Sequence, residues 1–209
     1  MQREQQPRPQ VPKEFSSKAL KTVGKYSVEE VDYNAKGLKR ALDWISKERQ
    51  REKNIRALIV LDQIQDILID GEVSFVNNMG GKNKTHFLYT ASDENGDIAA
   101  VQYFHYNPHK NIIESSGTYV TKKARKRKGL GKTLLRLEVD ESYKRDCPVE
   151  CEIEISNEFS QQMVEASGFE KIGQSVRRTR WVDWQGQHLE VGEEYLSYRF
   201  DPRKQGKVK

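Results

Sequence analysis

The sequence predicts an α/β (α+β) domain whose mixed central sheet has about six to seven strands and is flanked by about four helices. Three observations predict it: a hairpin signal at residues 93–97, a strand, glycine turn and helix in succession over residues 112–143, and an alternating strand over residues 149–155. The 209 residues are enough for one well-buried core and few for two.

Polar, basic segments flank the predicted domain. Residues 1–25 mix Gln, Arg, Pro and Lys with few large apolar side chains, so we expect a disordered basic tail there. The domain spans residues 26–200, and residues 201–209 form a second basic tail. No apolar run approaches the ~20 residues that a membrane span needs, and the N-terminus has no apolar stretch like that of a signal peptide. We therefore expect a cytoplasmic protein with no membrane partner.

The first half of the domain is predicted to begin with a strand and two helices. Tyr26, Val28 and Val31 indicate a short strand, after which Asn34 is placed to cap a helix. The apolar face of that helix has the i, i+3, i+4, i+7 spacing and consists of Leu38, Ala41, Leu42 and Ile45. Residues 57–69 form a second apolar segment, whose length and apolar spacing favour another helix, although residues 58–61 alone also fit a strand.

Strands dominate the middle of the chain. Residues 86–91 and 98–106 flank Asp93-Glu94-Asn95-Gly96-Asp97, a sequence typical of a hairpin turn. Residues 112–121 supply a third strand of this meander. A helix over residues 130–143 follows the glycine turn, with Leu130, Leu134 and Leu137 on one face.

The last part of the domain alternates strands with one helix. Residues 149–155 place apolar and acidic side chains on opposite faces, as a half-buried strand does. The next helix is predicted to turn Phe159, Met163 and Ala166 inward and to end at Gly168, since glycine is favoured just beyond a helix. Three further strands are predicted, at residues 169–173, 175–184 and 195–200.

The net charge of +5 is unevenly distributed. Residues 122–132 carry seven Lys and Arg and no acid, both tails are basic, and the remaining body is acidic. The pI near 9 therefore indicates one anion-binding loop and two basic tails. The two cysteines, Cys147 and Cys151, have no further Cys and no nearby downstream His, so no metal site is expected.

The glycine turn carries the chemistry. Lys126-Arg127-Lys128-Gly129-Leu130-Gly131-Lys132-Thr133 lies between a strand and a helix, whose N-terminus presents unbonded N–H groups. Glycines let a phosphate approach the backbone, so a pyrophosphate fits here. A Walker-type site would need a glycine where Lys126 stands. A solvated basic turn and a nucleic-acid patch are the alternatives that the turn alone leaves open.

Two stretches resemble the GNAT superfamily of acetyl-CoA-dependent N-acyltransferases. The run from Ile113-Glu114-Ser115 through Tyr119-Val120-Thr121 to Leu135 is similar to motif A, in which Arg/Gln-x-x-Gly-x-Gly/Ala follows a strand. Asn157, Glu165 and Gly168-Phe169 are similar to the family's Asn-x-x-Ala-x-x-x-Tyr-Glu-Lys-x-Gly-Phe segment. Together the two stretches cover residues 112–173 at the family's usual separation.

The resemblance implies that acetyl-CoA, or another acyl-CoA, is the acyl donor. Lys126 takes the place of the family's Arg or Gln, although a shift of one residue would give that place to Arg125. The cofactor-binding residues implied are Tyr119, Val120, Thr121, Arg125, Lys126, Arg127, Lys128, Gly129, Leu130, Gly131, Lys132, Thr133 and Asn157.

The implied reaction is direct attack of a primary amine on the thioester carbonyl. The acceptor is a small molecule, a protein or a charged tRNA, and a homodimer is compatible with the family. A backbone N–H within residues 119–121 is expected to bind the oxyanion. Glu114 is the first candidate for the general base, because the family's equivalent strand borders the acyl group. The alternatives to it are His86, His105 and His109.

The general acid is less evident, because Val164 stands where the family often has the Tyr that protonates the departing thiolate. Ser160 and Tyr195 are candidate substitutes, and unassisted departure is a third option. Ser160 itself replaces the family's helical alanine. An aromatic set either lines an acceptor pocket or packs in the core, and consists of Trp181, Trp184, Tyr195, Tyr198 and Phe200.

Two rival functions follow from the same residues. One is a catalytically weak GNAT-like module that uses CoA binding or its surface for interactions with partners, which Val164 and the altered motif A favour. The other is a nucleic-acid-binding protein that uses residues 122–132.

Overall fold

A computed structural model describes residues 21–31, 35–53, 57, 58, 60–62, 64, 65, 84–125, 129–182 and 188–205, with the backbone alone at 35, 36, 38, 177–182 and 188–192. The first elements are β1 (Lys21–Val23), β2 (Tyr26–Glu30), α1 (Ala35–Arg51) and α2, whose described residues lie between 57 and 65. The next are β3 (His86–Ser92), β4 (Ile98–Asn107), β5 (Ile112–Val120), α3 (Lys122–Arg125) and α4 (Leu130–Arg145). The last are β6 (Val149–Glu154), α5 (Glu158–Glu165), β7 (Glu170–Val182) and β8 (His188–Phe200).

The strands form one mixed sheet in the order β1-β2-β3-β4-β5-β6-β8-β7. Every neighbouring pair is antiparallel except β5 and β6, which are parallel and joined by α4 as the crossover. The mixed α/β prediction is confirmed, with eight strands in the described residues where about six to seven were predicted. None of the described helices combines the length and apolar character needed to cross a membrane. The cytoplasmic location stays a prediction.

Helices cover both faces of the sheet. On one face, here called the α1 face, Ala41 and Ile45 of α1 and Leu61 of α2 pack against Val101 and Tyr103 of β4. On the opposite α4 face, a larger core gathers the leucines of α4, Val164 of α5 and inward side chains of the strands. Because side chains alternate along a strand, neighbouring residues of β4 and β5 reach different faces.

Strand β1 corrects the predicted N-terminal boundary. Val23 pairs with Tyr26 across the two-residue Gly24-Lys25 loop, and Lys21 Nζ lies 2.8 Å from Asp140 Oδ2 of α4. The prediction of a disordered tail was therefore wrong for residues 21–25, because a glycine-containing two-residue loop lets this polar segment form a hairpin. Residues 1–20 lie outside the described residues.

The start of the predicted C-terminal tail also lies against the domain. Lys204 Nζ is 2.9 Å from Glu170 Oε2, and Gln205 Nε2 donates to Gly168 O at 3.0 Å. Residues 201–205 thus contact the beginning of β7. Residues 206–209 lie outside the described residues.

The inward face predicted for α5 was wrong for Phe159 and Ala166 but right for Met163, which is half-buried against the α4-face core, and the end of the helix was predicted correctly. Phe159 is 78% exposed and Ala166 is exposed, while Val164 is only 3% exposed and joins the α4-face core. Gly168, at φ +88°, closes the helix: its N–H donates to Glu165 O, and the next N–H donates to Val164 O. This closure buries Phe169 beside Val164, and so fixes which side of α5 faces inward.

Strands β7 and β8 form a longer hairpin than predicted. The two strands predicted at residues 169–173 and 175–184 are one strand with a register shift between Lys171 and Gly173. Strand β8 begins at His188 rather than at 195, because its added residues pair with the second half of β7. Asn34, most of the 77–84 loop and Trp184 lie outside the described residues.

Candidate active site

A cleft separates the two parallel strands at the centre of the sheet. Among the described residues, β5 and β6 pair only at Ile113 with Val149 and at Glu114 with Glu150. Beyond those pairs β5 continues along β4 as far as Val120, whereas β6 continues along β8. The β5/β6 cleft therefore has its apex at Glu114 and opens toward the C-terminal ends of both strands.

A bulge in β5 lies next to the apex. Tyr103 is opposite Gly117 and Phe104 is opposite Ser115, so Ser116 is an extra residue in β5. Such a bulge bends the strand and increases its twist. This deformation accounts for the separation of β5 from the strand with which it begins in register.

The β5 ladder also decides which backbone N–H groups face the cleft. Thr121 N–H donates at 2.9 Å to the carbonyl oxygen of Ala99, which lies near the start of β4. Donors alternate in direction along an antiparallel strand, so Tyr119 N–H also points toward β4 and Val120 N–H points into the cleft. Of the three residues predicted to supply an oxyanion donor, Val120 has the suitable orientation.

The cleft opens onto the N-terminus of α4. Gly129 has φ +110° and begins the helix, and no described side chain caps it. Its first turn contains no acidic residue and includes Lys132, which is exposed. The first N–H groups of any α-helix have no partner within the helix, and the helix dipole adds a partial positive charge. This end of α4 therefore attracts an anion.

The glycines of the turn fit a closely bound phosphate. A Cβ at Gly131 would lie 3.5 Å from Met163 Sδ, an ordinary contact, so packing within the protein does not require glycine there. A helical glycine costs roughly 0.5–1 kcal/mol relative to alanine. Glycine at this position leaves the backbone open to a ligand, and a pyrophosphate has the charge that this helix end favours.

On the α1 face, the apex carries a row of polar side chains. His86 of β3, His105 of β4 and Glu114 of β5 are cross-strand neighbours. His105 Nε2 lies 2.9 Å from Glu114 Oε2, and the two imidazole centroids are 5.9 Å apart. His86 Nδ1 is 2.6 Å from Tyr103 Oη, and burial followed by the charge of His105 lowers the pKa of His86.

Glu114 is held as an anion. Burial raises its pKa, but the hydrogen bond from Lys110, the charges of His105 and Lys110 and the amide of Asn107 together lower it below the ordinary value. Lys110 Nζ is 2.9 Å from Glu114 Oε1, and Asn107 Nδ2 donates to the same oxygen at 3.3 Å. The carboxylate is thus better placed to orient the His105 imidazole than to accept a proton itself.

On the α4 face, the apex carries a buried carboxyl group. Glu138 of α4 is fully buried and accepts hydrogen bonds at Oε1 from Gln102 Nε2 at 2.6 Å and from Ser115 Oγ at 2.8 Å. Burial, only partly offset by these two hydrogen bonds, raises the pKa of Glu138 to about 7. The sequence interpretation missed this group, although Glu138 continues the four-residue spacing of Leu130 and Leu134 into the core.

Solved structures share this arrangement over most of the chain. A chimera of the spermidine N-acetyltransferase SpeG from Vibrio cholerae matches with a TM-score of 0.59 at 11% identity, over 86% of this chain and 97% of the other. The ribosomal-protein-S18-alanine N-acetyltransferase from Escherichia coli matches with a TM-score of 0.51 at 18% identity, over 84% and 93%. An N-acetyltransferase from Staphylococcus aureus Mu50 matches with a TM-score of 0.58 at 18% identity, over 84% and 98%.

The chain has the fold of the GNAT superfamily. No protein-family model matches the sequence, and no curated protein matches it either. The likeness to GNAT structures therefore rests on the path of the backbone.

Several residues implied as cofactor ligands use their side chains elsewhere in this GNAT fold. The Tyr119 hydroxyl donates to Glu52 Oε2 at 2.7 Å and to Glu48 Oε1 at 3.1 Å, and both carboxylates belong to α1 or its end. Arg125 Nε donates to Val120 O at 2.6 Å, and its guanidinium lies over the Tyr119 ring. These contacts fasten α1 to the end of β5.

The remaining implied ligands surround the turn of the GNAT fold. Thr121 Oγ1 accepts from the N–H of Ala124 and caps α3, a short helix that the sequence interpretation missed. Asn157 Oδ1 accepts from Ser160 N–H at 3.2 Å, so Asn157 caps α5. Leu130 is buried and Thr133 half-buried in the first turn of α4. Lys126, Arg127 and Lys128 lie outside the described residues.

The candidate acids lie at different depths in the GNAT cleft. Tyr195 is opposite Glu154, toward the open end, and its hydroxyl donates to Glu193. Ser160 is half-buried in the first turn of α5. No structural observation tests their catalytic roles, which stay predictions.

Other residues considered from the sequence are also placed by the GNAT fold. His109 is exposed in the β4–β5 turn, apart from the row formed by His86, His105 and Glu114. Tyr198 and Phe200 are buried in the α4-face core, which confirms the packing interpretation for these two. Within the described part of the chain, no group of three His, Cys, Asp or Glu side chains is arranged around a possible metal position.

A separate open groove of about 980 Å³ lies on the α1 face. It runs between α1, the β3–β4 turn and residues 121–124, and charges of both signs line it, including Asp43, Lys47, Glu52 and Lys123. The groove reaches the end of β5 beside the cleft. We base the candidate site on the cleft, because the parallel strand ends, the helix N-terminus and the buried polar groups meet there.

Proposed function

We propose that the protein is an acyl-CoA-dependent N-acyltransferase that transfers an acetyl group from acetyl-CoA to a primary amine. The β5/β6 cleft, which opens directly onto the uncapped N-terminus of α4, carries this proposal. Bound acyl-CoA supplies the activated thioester. The named acetyltransferases with the same fold support the reaction class, and the local chemistry of the cleft supports its use here.

The cofactor's pyrophosphate binds at the α4 N-terminus in this proposal. The N–H groups of Leu130, Gly131 and Lys132 are the donors, and the Lys132 ammonium adds charge. We assign Lys126–Lys128 the same electrostatic role. Val120 N–H, which faces the cleft, is the donor assigned to the thioester carbonyl oxygen, because a fixed backbone dipole stabilises the charge that develops there.

The amine approaches from the α1 face, where His105 accepts its proton. Glu114 holds the imidazole in place and stabilises the imidazolium that forms, while Lys110 and Asn107 keep the carboxylate ionised. Glu114, the first candidate base in the sequence, thus becomes a positioning residue for His105. The amine nitrogen forms the new C–N bond, and the C–S electron pair goes to the sulfur of CoA.

The acceptor is a primary amine on a small molecule, a protein or a charged tRNA. The acidic body of the chain favours a cationic acceptor. Two neighbours in structure act on amines of different size, spermidine in one and the alanine of a ribosomal protein in the other. We therefore choose spermidine and a peptide with an N-terminal alanine as the first probes.

Two measurements test the proposal. Acetyl-CoA should raise the melting temperature, and CoA release from acetyl-CoA should depend on one of the two amines. Acetyl-CoA should no longer raise the melting temperature of the Gly131→Val variant. It should still raise that of the matched control Gly173→Val, because a Cβ at position 173 has no other atom within 4 Å. Stabilisation without CoA release from any amine would favour the catalytically weak module.

The nucleic-acid hypothesis gives a different result. Lys122 and Lys123 are exposed beside the turn, and a nucleic-acid patch would use them together with the other cations of residues 122–132. RNA binding with no shift in melting temperature at millimolar acetyl-CoA would replace the acyltransferase proposal with this one.

A further inference from the structure

The buried carboxyl of Glu138 lies where the cleft begins. Ser115, which hydrogen-bonds Glu138, directly follows the last β5 residue that pairs with β6, and Cys151 directly follows its counterpart in β6. Ser115 lies two residues after Ile113 in β5, and Ile113 is buried in the α4-face core. The side chain of Ser115 is therefore on the α4 face as well. It is half-exposed, whereas Glu138 and Gln102 are fully buried. Ser115 therefore connects the cleft to an enclosed carboxyl group.

The surroundings of Glu138 favour its neutral form. Its hydrogen-bond donors, Gln102 and Ser115, are both uncharged, and Glu138 Oε2 and Gln102 Oε1 are fully buried without a partner among the described residues. Burying an unpaired carboxylate is costly, so such a group holds its proton. The third group facing it is the Cys151 thiol, whose pKa is raised by burial and then by the charge of Glu138.

This enclosed acid is on the side of the sheet where an acid is missing. His105 and Glu114 are on the α1 face of the apex, and Ser115 and Glu138 are on the α4 face. Val164, which takes the place of the family's usual tyrosine, is a buried hydrocarbon on that α4 face. The hydroxyl of Tyr198, which is opposite Cys151 in β8, donates to Glu165 Oε1 at 3.0 Å.

We propose that Ser115 protonates the sulfur of the departing CoA and that Glu138 replaces the proton that Ser115 gives. This role rests on the proposed acyltransferase function. When the C–S bond breaks, its electron pair stays on sulfur, which takes the hydroxyl proton of Ser115. As the Ser115 hydroxyl turns from Glu138 Oε1 to the sulfur, the serine oxygen takes the carboxyl proton from that same Oε1, 2.8 Å away, and Glu138 becomes a carboxylate. The amine's proton leaves through His105 to water, and water reprotonates Glu138 through Ser115, so that protons balance.

In this scheme Ser115 is the catalytic residue and Glu138 is a positioning and proton-storing residue. Ser115→Ala and Glu138→Gln should each lower kcat about 100-fold or more, which is the usual contribution of a general acid. The KM for acetyl-CoA should stay within about threefold, since neither side chain belongs to the pyrophosphate site. Ser115→Thr keeps the hydroxyl and should recover most of the activity.

The rate is measured as CoA release from acetyl-CoA with whichever of spermidine and the N-terminal alanine peptide reacts. Wild-type kcat should fall as the pH rises past about 7, where Glu138 loses its proton, and Glu138→Gln should lack this fall. Ser142→Ala is the matched control: it removes another buried hydroxyl of α4, bonded to Cys147 O, and should change stability without altering the pH profile.

A second readout needs no catalysis. The pKa of Glu138 is higher in the folded protein than in the unfolded chain, so its contribution to stability is complete at low pH and is lost as the pH rises through about 7. The melting temperature of Glu138→Gln relative to wild type should therefore increase between pH 5 and pH 8. The control Ser142→Ala should show a constant difference over that range.

The outcomes separate this relay from the proposed function. Acetyl-CoA binding and turnover by the wild type, with an unchanged pH profile in both Ser115→Ala and Glu138→Gln, would overturn the relay alone. No binding of acetyl-CoA by the wild type would overturn both. A constant melting-temperature difference between Glu138→Gln and wild type from pH 5 to pH 8 would show that Glu138 does not hold the proton that the relay requires, and would overturn the relay.

Discussion

At Gly131 the proposed cofactor site and the stability of α4 favour different residues. A methyl group at this position would make an ordinary contact with Met163 Sδ at 3.5 Å, and alanine is a better helix former than glycine. We predict that Gly131→Ala raises the free energy of unfolding by roughly 0.5–1 kcal/mol. The same methyl group should weaken acetyl-CoA binding, because it occupies the space in which the phosphate approaches the backbone.

Calorimetry and urea unfolding of the same variant measure the two effects. Gly173→Ala serves as the control, since its new Cβ meets nothing within 4 Å and it lies in β7, away from the turn. It should leave acetyl-CoA affinity unchanged. Equal acetyl-CoA affinities for wild type and Gly131→Ala would show that the turn is structural only.

His105 and Glu114 are expected to differ in how their removal affects catalysis. His105→Gln removes the proposed base and should lower kcat by about 100- to 10,000-fold, the range typical of general bases. Glu114→Gln leaves the imidazole but loses the carboxylate that stabilises its protonated form, so its kcat should fall less.

Steady-state kinetics between pH 5 and pH 9 distinguish these roles. His109→Gln is the matched control, since His109 is exposed in the β4–β5 turn and has no part in the His105–Glu114 pair. The KM for acetyl-CoA should be similar in all three variants. A kcat for His105→Gln equal to that of wild type would exclude His105 as the base.

At the scale of elements, the end of α5 depends on a backbone conformation that favours glycine. Gly168 has φ +88°, and a Cβ there would lie 3.3 Å from the side-chain amide of Gln205. We predict that Gly168→Ala lowers the free energy of unfolding by about 1–2 kcal/mol, the usual cost of a left-handed conformation for other residues. Chemical denaturation measures this loss.

The same substitution should spare the cleft. Gly168 lies beyond the C-terminus of α5, whereas the cofactor site is assigned to the N-terminus of α4. Acetyl-CoA affinity of the folded Gly168→Ala variant should therefore match that of wild type. A stability unchanged within about 0.5 kcal/mol would contradict the assigned role of Gly168.

For the whole molecule, acetyl-CoA binding should be linked to folding. The site requires β5, the bulge, the glycine turn and α4 together, so the unfolded chain cannot present it. At a ligand concentration of about 100 times Kd, we predict stabilisation by about 2.7 kcal/mol. Differential scanning fluorimetry over a range of acetyl-CoA concentrations tests this linkage.

Salt dependence separates a cofactor site from a nucleic-acid surface. Single neutralisation of Lys126, Arg127 and Lys128 should reduce acetyl-CoA affinity mainly at one or two positions, since a charge-assisted hydrogen bond contributes about 1.5–3 kcal/mol. A nucleic-acid surface would lose RNA affinity by similar steps at every cation, with a shallower salt slope each time. Measuring both affinities at two salt concentrations decides between them.

Much of the fold was readable from the sequence because local patterns specify local elements. The hairpin of β3 and β4, the alternating strand β6 and the helix after the glycine turn all follow from periodicity and turn residues. Prediction failed where local patterns are ambiguous. Strand β1 was missed because it is short and polar, and in α5 the residue that faces the core is Val164 rather than Phe159. Packing against neighbours, rather than propensity, decided those two cases.

The sequence by itself determined the GNAT resemblance, the glycine turn and the candidate residues of the cleft, because motif residues are close together along the chain. Only the tertiary structure decided that His105 lies against Glu114, that Val120 N–H faces the cleft, and that Ser115 meets Glu138. Those relations depend on strand register, on a one-residue bulge and on the side of α4 that packs against the sheet. Such features join residues far apart in sequence, so no local pattern encodes them.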